Sequence, residues 1–270
     1  MRAVTSVASL APWLGGALAL AGVAVVASRR RELMIRWCAW AVGVPLITGA
    51  FWLGQPGAAA VAGAAALIAA LELGGLLRLP RSDRAVLAAA LTGVILTAWL
   101  TPGQLPRAVA AGALAVAAVP LLSGDADHGL RRVSGGLLGL AWLSVLAALV
   151  PLGADGLALF VAVSVADITA YFAGRRLGGP RLSPLSPAKR WSGTLAGAAT
   201  GIGTLGVLGA ASWQAMVAVA VGGPAGDLVE SMVKRGTQVK DAGRWLPGSG
   251  GLLDRVDSLL GALAVLVVLG

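Results

Sequence analysis

The sequence predicts an all-α, polytopic integral membrane protein with about nine or ten transmembrane helices. Three observations carry that prediction. Apolar residues make up 57% of the 270 and charged residues only 12%, against about 25% charged in an average soluble domain. Apolar runs approaching the roughly 20 residues of a spanning helix follow one another along most of the chain. The basic residues fall almost entirely in alternate connections, as the positive-inside rule requires.

In order, the spans are read at 9–27, 34–53, 57–77, 84–100, 105–122, 132–151, 154–174, 193–211, 213–230 and 252–269. Arg2 precedes the first, so a signal peptide competes with a spanning helix there, but no clean cleavage site follows. The boundary between the second and third is set by Gln55-Pro56-Gly57. With the N-terminus outside, the inner connections and span ends hold Arg29, Arg30, Arg31, Arg36, Arg78, Arg81, Arg84, Arg131, Arg132, Arg175, Arg176, Arg181, Lys189, Arg190, Lys234, Arg235, Lys240, Arg244 and Arg255. Only Arg2 and Arg107 then lie outside, and of the acids only Asp155. Topology needs Lys and Arg alone, so the clustered inner acids ask for another reason.

Residues 1–150 form an N-terminal set of helices rich in Ala, Leu, Gly and Val, whose small side chains suit close packing in lipid. This half is expected to serve as scaffold and substrate groove. It carries one intramembrane acid, Glu72, either functional by default or paired with Arg78. Residues 151–270 form a C-terminal catalytic region with two longer inner loops, about 175–192 and 231–251, rich in Gly, Pro, Ser and charge. Gly-rich backbone can approach phosphate closely. The Gly-rich stretch 193–209 sits at membrane depth and is read as helix packing. The nine tryptophans are read as interface anchors.

Composition also excludes chemistries. Cys38 and His128 are the only residues of their kinds, so disulfides, thiolate metal sites and histidine-based triads lack material. A metal would have to be held by carboxylates, which suits hard cations. The net charge of +9 is explained by the inner loops, so no nucleic-acid partner is expected. Asp125, Asp127 and His128 read as a solvated turn.

The chemistry gathers near the last two spans. Asp227, Glu230 and Ser231 share a helix face by their i, i+3, i+4 spacing. Asp254 and Asp257 project together from the first turns of the last helix, where negative charge is favoured. The intervening loop returns the chain, so Asp227, Asp254 and Asp257 are expected to form one carboxylate cage for a divalent ion. All three lysines, Lys189, Lys234 and Lys240, sit in the two inner loops and suit phosphate binding. Asp167 and Tyr171, one turn apart, could orient a nucleotide or a second cation; the competing reading pairs Asp167 with Arg175 or Arg176.

The run Ser231-Met232-Val233-Lys234-Arg235, then Lys240-Asp241-Ala242-Gly243-Arg244-Trp245-Leu246-Pro247-Gly248-Ser249-Gly250-Gly251-Leu252-Leu253-Asp254-Arg255-Val256-Asp257, resembles the signature of the phosphatidate cytidylyltransferase (CDP-diacylglycerol synthase) family. Asp167-Ile168-Thr169-Ala170-Tyr171-Phe172-Ala173-Gly174-Arg175 and Ser186-Pro187-Ala188-Lys189-Arg190 are similar to two upstream family stretches. The resemblance covers roughly residues 65–270 and is specific from 164 onward. This chain departs from the family pattern with Arg190 in place of a threonine, Ser192 in place of a glutamate, and Ser249 in place of a histidine. Serine can still donate a hydrogen bond there but cannot carry the histidine's charge.

The resemblance implies a membrane nucleotidyltransferase that uses CTP, phosphatidate and Mg²⁺, with room for a second cation and for a homodimer. It implies a bacterial inner-membrane location, lipid contact all round, and a site facing the cytoplasm. On that reading Asp227, Lys234, Lys240, Asp241, Asp254 and Asp257 are catalytic. Asp167, Tyr171, Ser186, Lys189, Arg235, Ser249, Gly250, Gly251 and Arg255 bind substrate, and Asp227, Asp254 and Asp257 hold the metal. The rivals are a CTP-dependent polyprenol kinase and a catalytically impaired scaffold or transporter. Transporters place polar groups at the midplane with repeat symmetry, neither of which the sequence displays.

Overall fold

The computed structural model describes residues 5–29, 31–239 and 250–270, with the side chains of residues 32, 35 and 36 left aside. Each of the ten predicted spans coincides with a helix or with helices stacked end to end. They are α1 (Val7–Ser28), α2 (Arg31–Trp52), α3 (Gln55–Leu76), α4 (Arg81–Leu100), α5 (Leu105–Leu122) and α6 (Gly129–Leu143). A 3₁₀ turn, Ser144–Ala148, carries α6 into the short α7 (Leu149–Leu152), and α8 (Ala154–Leu177) follows. Beyond a two-stranded hairpin come α9 (Trp191–Val207), α10 (Trp213–Val217), a π-helical turn over Ala218–Gly222, α11 (Gly223–Gly236) and α12 (Leu253–Leu269).

Among the described residues, seven of these rods are long and apolar enough to cross a membrane, the 3₁₀ and π pieces included. Side chains such as Leu20, Val42, Leu114, Leu122 and Val268 point outward, each more than 65% exposed. Water would not tolerate so much uncovered apolar surface, whereas lipid does. This is a multi-pass membrane protein.

Helix α3 forms the centre. Its alanines at 58, 62, 66 and 69 are fully buried at three- and four-residue spacing, so one small-residue stripe packs closely against its neighbours. At the end of this half, Arg132 of α6 is buried and satisfied by three partners. Its Nη2 and Nε donate to Asp83 at 2.6 and 2.8 Å, and its Nη1 to Asp125 and Ser123 at 2.8 and 2.9 Å. The Asp125 turn is therefore clamped onto α4 and α6 rather than simply solvated. The guanidinium holds the Asp125 carboxyl below its usual range.

Two elements depart from the expected pattern. The first inner loop is shorter than predicted because α8 runs on to Leu177 and the chain then pairs as β1 (Arg181–Ser183) with β2 (Ser186–Arg190), antiparallel, with Arg181 opposite Arg190. The ninth span is not one regular helix. Pro224 at the head of α11 lacks an N–H and its ring crowds the carbonyl four residues earlier, and the π turn before it absorbs the mismatch.

Close backbone contact positions the C-terminal half. A Cβ at Gly193 or Gly197 of α9 would strike α8 at Ala170 or Ala166, and one at Gly201 would strike Val219 of the π-helical turn. On the other side, Gly222 and Gly226 meet the backbone of α12 at Gly261 and Asp257. Glycine at these positions lets the helix carrying Asp227 lie directly on the helix carrying Asp257.

Candidate active site

That crossing builds a cavity of about 630 Å³ between α8, α9, the hairpin, α11 and α12. The α11 face read from the sequence is realised: Asp227, Glu230, Ser231 and Lys234 follow at helical spacing. Opposite, α12 presents Asp254, Asp257 and Ser258. From α8 comes Asp167, and from β2 comes Lys189.

Three carboxylates face one another. Asp227, Glu230 and Asp257 offer oxygens that all lie within 4.8 Å of each other. Glu230 and Asp257 are buried and Asp227 is half-buried. Oxygens so spaced suit a hard cation bound at about 2–2.5 Å. One further observation fits a cation. Glu230 uses one oxygen to accept from Lys234 at 2.7 Å, but its buried Oε1 has no hydrogen-bond partner. A buried acceptor left so is costly unless something positive is bound there.

Asp254 adjoins Glu230 but is not among the three. Its Oδ1 accepts from Lys234 Nζ at 2.9 Å and its Oδ2 from the Gly251 N–H at 2.8 Å. It thus fixes Lys234 and the entry to α12, and Glu230 takes the place among the facing carboxylates that the sequence reading gave to Asp254. Gly250 beside it has φ +81, and a Cβ there would press on the Asp254 carboxylate, so only glycine serves.

Lys189 bridges the hairpin to α11 through an ion pair with Asp227 Oδ2. Burial pulls its pKa below the ordinary lysine value, opposed by Asp167, Asp257 and Glu230. Arg175, read as a possible partner of Asp167, instead donates its guanidinium to the Tyr171 hydroxyl at 2.5 Å and lies 5.4 Å from the ring centre. Arg235, predicted as a substrate ligand, donates from Nε to the Leu185 carbonyl at 2.5 Å. It ties the hairpin turn to the end of α11. Ser192, where the resemblance expects glutamate, donates to the Gly178 carbonyl and closes the hairpin's base.

Glu72 is neither surface-seeking nor paired with Arg78. Its two oxygens accept the backbone N–H groups of Leu252 and Leu253 at 3.0 and 2.7 Å. A carboxylate from α3 thus caps the start of α12, satisfying donors that a helix leaves open and favouring its positive end.

Of the predicted residues, Asp167, Tyr171, Ser186, Lys189, Asp227, Lys234, Asp254, Arg255 and Asp257 all line this one cavity. Lys240, Asp241 and Ser249 lie outside the described residues, as does Arg244. Sequence reasoning placed Glu230 on the Asp227 face but left it out of the site, and it missed Ser258 next to Asp257. The i, i+3 step from Asp227 was the signal for the first.

A polytopic helical membrane protein that gathers carboxylates and lysines in one cavity defines an enzyme-like class suited to metal-assisted phosphate chemistry. The cytidylyltransferase family model matches residues 34–270, and the chain belongs to that family. Among similar proteins, a phosphatidate cytidylyltransferase of Brucella abortus is 48% identical over 122 residues, 42% of this chain and 45% of the relative. One of Pseudomonas aeruginosa is 41% identical over 161 residues, 52% of this chain and 57% of the relative. The chloroplastic phosphatidate cytidylyltransferase 4 of Arabidopsis thaliana is 40% identical over 116 residues, 39% of this chain and 30% of the relative. The matched stretches thus span about half, or less, of these relatives' lengths.

Proposed function

We propose that this protein is an integral-membrane CTP:phosphatidate cytidylyltransferase. A phosphate oxygen of phosphatidate attacks the α-phosphorus of CTP. The bond from that phosphorus to the oxygen bridging to the β-phosphate breaks, and pyrophosphate leaves as CDP-diacylglycerol forms. The observation that carries this reading is the convergence of Asp227, Glu230 and Asp257 with Lys189 and Lys234 in one cavity. The printed names of the relatives supply the nucleotide and the lipid.

Asp227, Glu230 and Asp257 are the residues to hold Mg²⁺, which when bound would neutralise triphosphate charge and favour the departing pyrophosphate. Asp167, which faces Asp257 electrostatically, is the further acid available to a second cation. Lys189 and Lys234 bind phosphate oxygens as compact cations. Asp254 holds Lys234 in place, and Tyr171 and Arg175 close the cavity's hairpin side. The basic bias of the inner connections and the cytosolic supply of CTP support a cavity that faces the cytoplasm from the inner membrane.

The test incubates purified protein with Mg²⁺, phosphatidate and CTP labelled at either the α- or the γ-phosphate, and follows label into extracted lipid. Transfer of α-label is expected, and Asp227→Asn should lower it by about a hundredfold or more while the melting temperature in detergent is kept. Label entering lipid only from the γ-position would establish the kinase instead. No label from either would leave a scaffold.

A further inference from the structure

Charge is balanced unevenly within the polar cavity. Lys189 and Lys234 are each met by the protein's own carboxylates, the first by Asp227 and the second by Glu230 and Asp254. Arg175, in the last turn of α8, and Arg190, the last residue of β2, line the same cavity. Among the described residues neither pairs with a carboxylate. Arg175 donates to the Tyr171 hydroxyl at 2.5 Å, and Arg190 donates from Nη1 to the Gly179 carbonyl at 3.1 Å. The chain carries no Asp or Glu between Asp167 and Asp227 to offset them.

The hairpin gathers this charge instead of spreading it. A Cβ at Gly174 would lie 3.7 and 3.8 Å from Cβ and Cγ of Arg190, so the Arg190 stem rests on α8 one residue before Arg175. Across the ladder Arg190 stands opposite Arg181, and like charges so placed destabilise a strand pair. Two departures from the family pattern add to the excess. Arg190 brings a positive charge where that pattern has threonine, and Ser192 lacks the negative charge of its glutamate. A guanidinium has five N–H donors in a planar fork, and the Tyr171 hydroxyl and the Gly179 carbonyl take up only part of each. The remaining donors suit a phosphate, which such a fork grips through two oxygens at once.

We propose that Arg190, assisted by Arg175, forms an anion subsite for the β- and γ-phosphates of CTP, and hence for the pyrophosphate that departs. The proposal rests on the cytidylyltransferase reading and gives the leaving group its place in the cavity. The hairpin follows the last residue of the spanning helix α8. Arg190 therefore stands where a soluble triphosphate reaches, whereas a lipid phosphate is tethered to the bilayer. As the bond to the α-phosphorus breaks, negative charge moves onto the departing pyrophosphate, and guanidiniums already in place stabilise it without reorganisation. The same grip holds the product, so pyrophosphate should inhibit by competing with CTP.

The experiment uses full-length protein in detergent and measures KM for CTP, KM for phosphatidate and the inhibition constant of pyrophosphate. Arg190→Thr should raise KM for CTP and the pyrophosphate constant about tenfold each, the scale of one charge-assisted hydrogen bond, and leave KM for phosphatidate at the parent value. Arg190→Lys keeps the charge without the fork and should fall between; it carries the test alone if Arg190→Thr does not purify folded. Arg176→Ala, exposed and outside the cavity lining, should change none of the three. Constants for CTP and pyrophosphate that stay at the parent value in the Arg190 variants overturn the proposal. So does a rise confined to KM for phosphatidate, which would give the arginines to the lipid. If the parent transfers nothing, the catalytic reading fails, and labelled pyrophosphate bound without Mg²⁺ decides the anion subsite alone. Binding about tenfold weaker in Arg190→Thr upholds the subsite, and equal binding overturns it.

Discussion

Lys189 shows how one side chain can set a pH limit. Burial lowers its pKa from the ordinary 10.5, although Asp167, Asp257 and Glu230 pull the other way. A lysine is charged below its pKa, so a lowered value means the ammonium is lost at a lower pH than in a free lysine. Its pair with Asp227 then fades as pH rises, and with it the hold on phosphate that the proposed function gives it. We expect kcat/KM for CTP to fall along an alkaline limb below pH 10.5. Lys189→Arg, which stays charged, should move that limb upward. A limb at the same pH in Lys189→Arg would assign it to another group. At this scale the sequence was legible where residue type and spacing suffice: Asp227, Asp257, Lys189 and Lys234 stood out, and all four line the cavity. It could not separate Asp254 from Glu230, because the difference lies in which oxygens Lys234 and the Gly251 N–H already occupy.

Among elements, the informative pair is α3 and α12. Removing Glu72 would leave the N–H groups of Leu252 and Leu253 without acceptors in a buried place, at about 1–3 kcal/mol. Glu72→Ala should therefore lower the melting temperature in detergent. It should also raise the Mg²⁺ concentration for half-maximal activity about tenfold, because the turn carrying Asp254 and leading to Asp257 loses its anchor. Glu72→Gln keeps an acceptor and should fall between. A variant Glu72→Ala as stable and as metal-responsive as the parent would remove the cap from the argument. Hydropathy found the helices because lipid demands long apolar runs. It could not find the 3₁₀ and π turns or the β-hairpin, which depend on Pro224 and on local pairing that a hydropathy window averages away. Nor could it give Glu72 its role, since its partners are backbone groups about 180 residues on.

For the whole molecule, the charge pattern predicts that both ends of the described chain lie outside. In a Cys38→Ser background, Val268→Cys should react with an impermeant thiol reagent on intact cells, and Asp127→Cys only after the membrane is opened. The reverse result would invert the topology and move the polar cavity away from the cytosol. The helical class was plain from the apolar runs, and the bias of charge from where the basic residues fall between them. The assembly was not, because it depends on glycine contacts and on the buried Arg132 clamp, both of which join distant stretches. The Glu72 cap also has a consequence in time. At roughly 5–20 residues per second, a ribosome takes about 10–35 s to go from Glu72 to Leu252, so a nascent chain holds an incomplete cavity for that long. Until α12 emerges and docks, Glu72 must find water or another donor at the membrane surface. A translocon or chaperone that shields it during that interval would govern how much active protein a cell makes.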